Sequence, residues 1–278
     1  MQERPIDLHT HSVVSDGTET PGELIAAAVQ AGLGVVAITD HDSTAGWDSA
    51  FAAAEGTGLS VVPGLELSTQ LDYASVHILG YYVDPTDPAL VAATEEIRSE
   101  RLGRAEAMVS RIAKDYPLTW EDVLAQTAEG ATVGRPHIAD ALVAKGIVTD
   151  RSAAFGSILH WRGGYYQPHR APLPVTGVEL ITNAGGVAVM AHPGARGPSS
   201  LFDERRVGEL VAAGLAGLEL HHRDNRPESL PFWRDMAARY DLIVTGSSDY
   251  HGAGKPNRLA EHSTAKSQYA RILERAGR

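Results

Sequence analysis

The 278-residue chain contains no cysteine, which excludes disulfides, thiolate metal sites, iron–sulfur clusters and a cysteine nucleophile. Lysine is nearly as scarce, occurring only at Lys114, Lys145, Lys255 and Lys266. Positive charge is outnumbered overall: Lys+Arg 24 against Asp+Glu 35 leaves a formal net charge of −11. That balance argues against a broad face for long nucleic acid, which works by neutralising phosphates. It leaves room for a small phosphorylated ligand, which needs only a few local cations. No apolar run approaches the ~20 residues of a membrane span. The opening MQERPIDLHTHS lacks the basic and apolar regions of a signal peptide, so a soluble, cytoplasmic protein without membrane partners is expected. Internal repeats and low-complexity segments are absent as well.

Hydrophobic residues make up 43%, enough for a substantial core. Apolar, β-branched runs predict seven strands, near 5–8, 35–39, 60–67, 75–82, 187–191, 216–220 and 242–246. Thr20-Pro21-Gly22-Glu23 reads as a capping box with Pro at the first helical position, opening a helix that stops at Gly32. A small helix is expected around 46–55. From residue 88 the alternation breaks: 88–114, 119–129, 136–145 and 150–160 all read as helices, with starts at Asp87-Pro88 and Thr119-Trp-Glu-Asp. Four helices without an intervening strand suggest an insertion in an α/β framework. Helices near 175–184, 203–213, 229–239 and 265–276 restore the alternation.

The chain has 12 histidines, and their placement is informative. Metal-competent side chains fall at or just past nearly every strand end. His9 and His11 follow the first strand, Asp40 and His41 the second. Glu66 lies late in the third and His77 early in the fourth. His192 follows the fifth, and Asp249 and His251 the seventh. In a βα-barrel such ends converge on one face, where active sites are built. His9 and His11 are two apart on an extended segment, so their imidazoles project to one side and can serve one ion. Glu219, His221 and His222 close the sixth strand, and whether they line the pocket stays open at this level.

DLHTHS, the Asp16-Gly17 that follows, ITDHD, GLELS, HILGY, AHPG and GSSDYHG together resemble the PHP (polymerase and histidinol phosphatase) superfamily of metal-dependent phosphoesterases, from residue 6 to about 255. The likeness is to its stand-alone branch of nucleotide and 3′,5′-nucleoside bisphosphate phosphatases and short-RNA 5′–3′ exonucleases. GRPHIA at 134–139 is similar to that branch too. The resemblance implies an α/β fold, a distorted (β/α)7 barrel with a helical insertion. Residues 1–87 and 170–278 would form the barrel, and 88–169 the insertion covering the active site.

It also implies three divalent ions, Mn, Fe, Zn or Mg. His9, His11, Glu66 and Asp249 would hold one. Glu66 would bridge to a second, completed by His77 and His192. Asp16, His41 and His251 would hold the third. Such a set can lower the pKa of a shared water and clamp a phosphate, giving in-line attack by a metal-bridging hydroxide. Asp40 is expected to orient a ligand imidazole. Arg135 and His137 of GRPH would grip a phosphate, as a planar guanidinium fork does well.

The implied activity is hydrolysis of phosphate monoesters of small nucleotides, AMP or 3′,5′-nucleoside bisphosphate, or of short 5′-phosphorylated oligonucleotides. The alternatives are a histidinol-phosphate phosphatase or a non-catalytic, metal-stabilised module. An amidohydrolase would often use a carboxylated lysine at a strand end, and none of the four lysines stands there. Gly246-Ser-Ser lacks the nucleophile-elbow pattern. His160, His169 and His262 read as solvated or internally satisfied histidines. The run from Glu95 through Arg101 to Arg104 reads as an exposed, salt-bridged helix face rather than an RNA-binding stripe. HWRGGYYQPHR at 160–170 is expected to bring Arg162, Tyr165 or Arg170 close to a substrate. HHRDN at 221–225 and PNRLAEHST at 256–264 depart from the family's usual pattern.

Overall fold

The computed structural model describes residues 4–72, 74–168, 170–195 and 201–278, so His169 lies outside the described residues. Among the described residues seven strands form one sheet in sequence order: β1 (Ile6–Asp7), β2 (Val35–Ile38), β3 (Ser60–Leu71), β4 (Ala74–Tyr81), β5 (Val187–Met190), β6 (Leu215–His221) and β7 (Ile243–Gly246). The expected seven strands are all there. β1, β2 and β3 run parallel, as do β5, β6 and β7, whereas β4 is antiparallel to both neighbours. The edges approach beyond β1 and β7: Thr10 bridges Tyr250, and the His11 N–H donates to the Tyr250 carbonyl at 2.8 Å. The sheet is therefore a nearly closed, distorted barrel.

Every strand contributes to an inner cluster that includes Ile6, Leu8, Ala37, Val62, Leu79, Tyr81, Val189, Ala216 and Ile243. Residues of opposite parity, such as Leu65, Leu67, Ile78 and Met190, join the outer core with Leu24 and Ile25 of α1 (Pro21–Gln30), Val178 and Ile181 of α7 (Pro174–Asn183) and Trp233 of α9 (Leu230–Arg239). This alternation is what a helix-wrapped barrel requires. α2 (Trp47–Ala54) and α8 (Glu204–Ala212) complete the outer layer, whereas α10 (Lys266–Arg275) packs Ile272 into the inner cluster. The capping box before α1 forms as read: Glu23 N–H donates to Thr20 Oγ1 at 3.2 Å and Thr20 N–H to Glu23 Oε2 at 2.8 Å.

Four consecutive helices lie between β4 and α7: α3 (Pro88–Ile112), α4 (Trp120–Leu124), α5 (Arg135–Ala144) and α6 (Arg151–Gly156). They share a separate core of Met108, Val109, Ile112, Val123, Ile138, Leu142, Leu159 and neighbours. α4 is shorter than the expected 119–129. Its last turn tightens into i→i+3 bonds from Gln126 N–H to Val123 and Thr127 N–H to Leu124, each 3.0 Å, and Gly130 then turns the chain with φ 74°. No helix among the described residues is long and apolar enough to cross a membrane.

Candidate active site

Two strand-level facts bring the acidic and imidazole groups together. Glu66 shares its parity on β3 with the inward-facing Val62, and His77 shares its parity on β4 with Leu79 and Tyr81, so both point into the barrel mouth. Because β4 runs backwards, a residue near its start lies beside the end of β3, and Ser68 pairs with His77. Past β1 the chain stays extended, held by the Thr39 N–H bond to the Thr10 carbonyl at 2.9 Å. His9 and His11 accordingly face the same way, their Nε2 atoms 3.1 Å apart. Asp16 follows on a loop that must press against this segment: a Cβ on Gly17 would lie 2.4 Å from the His11 carbonyl oxygen.

Glu66 is the hub. Its Oε1 lies 2.7 Å from His77 Nδ1 and 3.2 Å from His192 Nε2. Its Oε2 lies 3.1 Å from His41 Nδ1, 3.2 Å from His11 Nε2 and 3.4 Å from His9 Nε2. Asp249 Oδ1 is 3.3 Å from His11 Nε2 and 3.5 Å from His9 Nε2. Asp16 Oδ1 is 3.2 Å from His251 Nε2. The structure thus gathers all nine expected ligands into one buried cluster. His192 and Asp249, just past their strands, take positive φ of 29° and 53°, conformations that non-glycine residues seldom adopt and that concentrate at functional sites.

The donor set suits divalent cations. His9–His11–Asp249, His11–Asp16–His41 and His41–Glu66–His77 each bring three ligand atoms within reach of one ion. Ligands ~2.1 Å from a shared ion at tetrahedral or octahedral angles lie about 3.0–3.4 Å apart, the spacing of most of these contacts. His41 Nδ1 and His251 Nε2 are buried without a hydrogen-bond partner despite neighbouring carboxylates. Unprotonated nitrogens aimed at a cation explain such orphans. Burial alone would raise the Glu66 carboxyl, but His41, His77 and His9 outweigh it and hold it well below the usual carboxylate range. Asp249 is likewise held down against burial, by Lys255, His251 and His9.

Behind the ligands stands a second layer of polar groups. Glu219 Oε1 is 3.1 Å from His9 Nδ1, and Glu219 Oε2 accepts the His192 N–H at 2.9 Å. A carboxylate placed so fixes the tautomer and direction of a ligand imidazole. Burial opposes the charge on Glu219, yet His9 and His222 bring its pKa down to about 2. His222 is buried, its Nε2 3.7 Å from Asp249 Oδ2, whereas His221 is exposed. Asp40 accepts from Ser12 N–H (2.8 Å), Ser12 Oγ (2.7 Å) and Ser15 Oγ (2.7 Å), and Ser15 Oγ in turn lies 3.3 Å from His11 Nδ1. Its link to a ligand imidazole therefore passes through Ser15.

A cavity of about 580 Å³ opens from Asp16, His41 and His77. Its wall carries Arg101, Arg104, Arg135, Arg151, Arg223 and Lys255, with Phe155 and Tyr166 among them. Arg135 stacks at 5.2 Å over Phe155 and 5.5 Å over Tyr166, and Arg104 at 5.2 Å over Tyr166. Burial, with Arg135 alongside, pushes the Arg104 guanidinium down to about 9. An anion in this cavity would relieve that crowding of positive charge. Its walls offer charge and π-faces together.

The charged run on α3 is exposed at Glu95 and Glu96 as expected from its sequence, but Arg101 and Arg104 are not part of that face. Arg101 is buried, pairing with Asp42 Oδ2 at 2.9 Å and donating to Ser68 Oγ at 2.6 Å; Arg104 donates to the Gln167 carbonyl at 2.7 Å. The missed signal is helical: Ile97, Arg101, Arg104, Ala105 and Met108 share one stripe, and it is buried. Arg135 reaches the cavity, while His137 turns inward, accepts the Gly134 N–H on Nδ1 at 3.1 Å and closes the start of α5. In the 160–170 loop it is Tyr166 that lines the cavity. Tyr165 donates to Asp115 at 2.7 Å, Arg162 stacks on the exposed Trp161, and Arg170 lines a different cavity, beside Ala89 and Glu96. His160 and His262 are half-buried and outside the ligand cluster.

Comparison with known proteins agrees with this geometry. The PHP domain family model matches residues 7–131. A 3′,5′-nucleoside bisphosphate phosphatase of Chromobacterium violaceum is 33% identical over 93% of this chain and 91% of its own length. A 5′-3′ exoribonuclease of Haemophilus influenzae is 31% identical over 88% of this chain and 89% of its own. A crystal structure from Bifidobacterium adolescentis, described as that of a metal-dependent phosphoesterase, superimposes with a TM-score of 0.94 at 43% identity, covering 99% of this chain and 97% of that one.

Proposed function

Since the chain belongs to the PHP family and is a metal-dependent phosphoesterase, a hydrolase, we propose that it acts on phosphate monoesters of small nucleotides, AMP or 3′,5′-nucleoside bisphosphate, or of short 5′-phosphorylated oligonucleotides. The observation that carries this reading is one cavity that joins the His/Asp/Glu cluster to Arg104, Arg135, Phe155 and Tyr166. A phosphate needs the cations, and a nucleobase needs a π-face.

In this reading three divalent ions, Mn, Fe, Zn or Mg, are held by His9, His11, Glu66 and Asp249; by Glu66, His77 and His192; and by Asp16, His41 and His251. Bound there, they supply an activated water and offset the charge on the phosphoryl oxygens. The chain's own groups do the positioning. Glu219 keeps His9 aimed, and Asp40, through Ser15, keeps His11 aimed. Arg135 contacts a substrate phosphate, and His137 holds the turn that presents it. Residues 88–169 act as the insertion that covers the site on the barrel of 1–87 and 170–278. Asp224 on the cavity wall favours a second reading, an amine-bearing substrate such as histidinol phosphate.

The deciding assay is phosphate release from adenosine 3′,5′-bisphosphate, AMP, histidinol phosphate and a short 5′-phosphorylated RNA, with Mn²⁺ and with or without chelator. Chelator-sensitive turnover confined to the nucleotides is expected. Turnover of histidinol phosphate alone would select the second reading, and none at all would overturn both.

A further inference from the structure

The two stretches that depart from the family pattern meet at the cavity. Arg223 of HHRDN donates from Nη1 to Asn257 Oδ1 at 3.1 Å and pairs through Nε with Glu261 Oε1 at 3.0 Å. Asn257 Nδ2 in turn donates to the Ser248 and Asp249 carbonyls at 2.7 and 3.2 Å. The loop after β7 is thereby tied both to the strand end that carries Asp249 and to the loop after β6. It also runs tight against the insertion: a Cβ on Gly254 would lie 2.1 Å from Arg151 Nη1. A loop fixed at both ends places its intervening side chains in defined positions.

Lys255 is the side chain so placed. It lines the cavity, and its Nζ lies 2.7 Å from Asp249 Oδ2. The Asp249 carboxylate is divided between two neighbourhoods. Oδ1 faces His11 Nε2, His9 Nε2 and His251 Nδ1 at 3.3, 3.5 and 3.4 Å, whereas Oδ2 faces Lys255, with His222 Nε2 at 3.7 Å. The ligand oxygen and the lysine-bound oxygen are therefore different atoms, so a cation on one leaves the other contact intact. Lysine is a compact point charge suited to phosphate. Of the four lysines in the chain, Lys255 is the one at this cavity.

We propose that Lys255 is a phosphate-contacting residue of the active site, its ammonium held between Asp249 and the phosphoryl group of the bound substrate. The proposal rests on the phosphoesterase reading. It explains what the loop after β7 contributes, a cation on the barrel side of the cavity that faces the same ligand as the arginines of the helical insertion.

The test uses the full chain and its K255M and K255R variants. It measures metal content by mass spectrometry, the dissociation constant of inorganic phosphate by calorimetry on metal-free and Mn²⁺-loaded protein, and kcat and KM for AMP. K255M should bind phosphate at least about 10-fold more weakly in both forms, the loss expected for one hydrogen bond to a charged group. Its KM should rise by a similar factor, its metal content should match wild type, and K255R should recover most of the loss. Unchanged phosphate affinity in K255M, whether or not its metal content falls, would overturn the proposal and leave Lys255 at most a support for Asp249. If wild type hydrolyses no phosphoester, the phosphoesterase reading fails, while the phosphate titrations still decide whether Lys255 grips the anion.

Discussion

The ligand cluster and the arginine wall face one another across the same cavity but are held in place differently. Glu66 and His77 stand in the paired strands β3 and β4, the other ligands lie on the segments that follow β1, β2, β5 and β7, and Glu219 backs His9 while Ser15, held by Asp40, backs His11. The insertion helices that carry Arg101, Arg104, Arg135 and Arg151 have a hydrophobic core of their own. Beside the apolar packing of Leu90 and Ile97 of α3 into the barrel's outer core, they meet the barrel through polar ties: Arg101 to Asp42 and Ser68, Arg151 to the Asp16 carbonyl at 3.0 Å, and the Thr132 N–H to the Val14 carbonyl at 2.9 Å. Positions that cations must fill to within a few tenths of an ångström belong on the rigid scaffold. Groups that meet a variable substrate can sit on a part that adjusts.

If the two regions divide the work in this way, their variants should fail differently. The largest effect is expected for Glu66→Gln, which removes the charge at the hub. Turnover should drop well beyond the about 10–100-fold typical of outer hydrogen-bond partners, together with metal content by mass spectrometry. Full metal occupancy in an inactive variant would break the comparison.

Arg135→Ala should instead leave metal content intact and lower kcat/KM by about 10–150-fold, corresponding to ~1.5–3 kcal/mol for a hydrogen bond to a charged group. Wild-type kinetics would remove Arg135 from the site. Glu219→Gln tests the backing layer: metal affinity, measured by competition with a chelator, should weaken by about 10–100-fold, with KM at saturating metal little changed. The smallest catalytic effect is expected for Ile138→Ala in the insertion core. A cavity there costs about 2–5 kcal/mol, visible as a lower Tm, while metal content stays at the wild-type level. Loss of metal in that variant would show that the insertion supports the ligand cluster after all.

The same division explains what can be read from the sequence. His9, His11, His41, His192 and Asp249 follow short apolar runs that can only be strands, and strand ends in a barrel converge. Glu66 and His77 join them by motif rather than by position, since one lies within its strand and the other near the start of a strand whose direction the sequence does not reveal. The cavity wall is harder. Arg101 and Arg104 stand among acidic neighbours that suggest solvent, and only their stripe with Ile97 and Met108 reveals burial. Phe155, Tyr166 and Lys255 reach the cavity by tertiary contacts of loops and short helices, for which no period exists in the chain. His137 reads as a partner of Arg135, but at that position the start of α5 needs a cap and its ring supplies one.

The reversed strand has a consequence for the height of the molecule. A parallel strand would deliver the chain to the mouth of the barrel, but β4 delivers it to the floor, so whatever follows must climb the full wall to reach the active site. α3 makes that climb. Its 25 residues at 1.5 Å each span about 37 Å. Its lower turns, with Leu90 and Ile97, pack into the barrel's outer core, and its upper turns, with Met108 and Ile112, belong to the insertion's core. Arg101 and Arg104 fall where one core gives way to the other, level with the rim. The helix is thus a ruler: removing one turn would lower the roof by about 5 Å and carry both arginines below the cavity they serve.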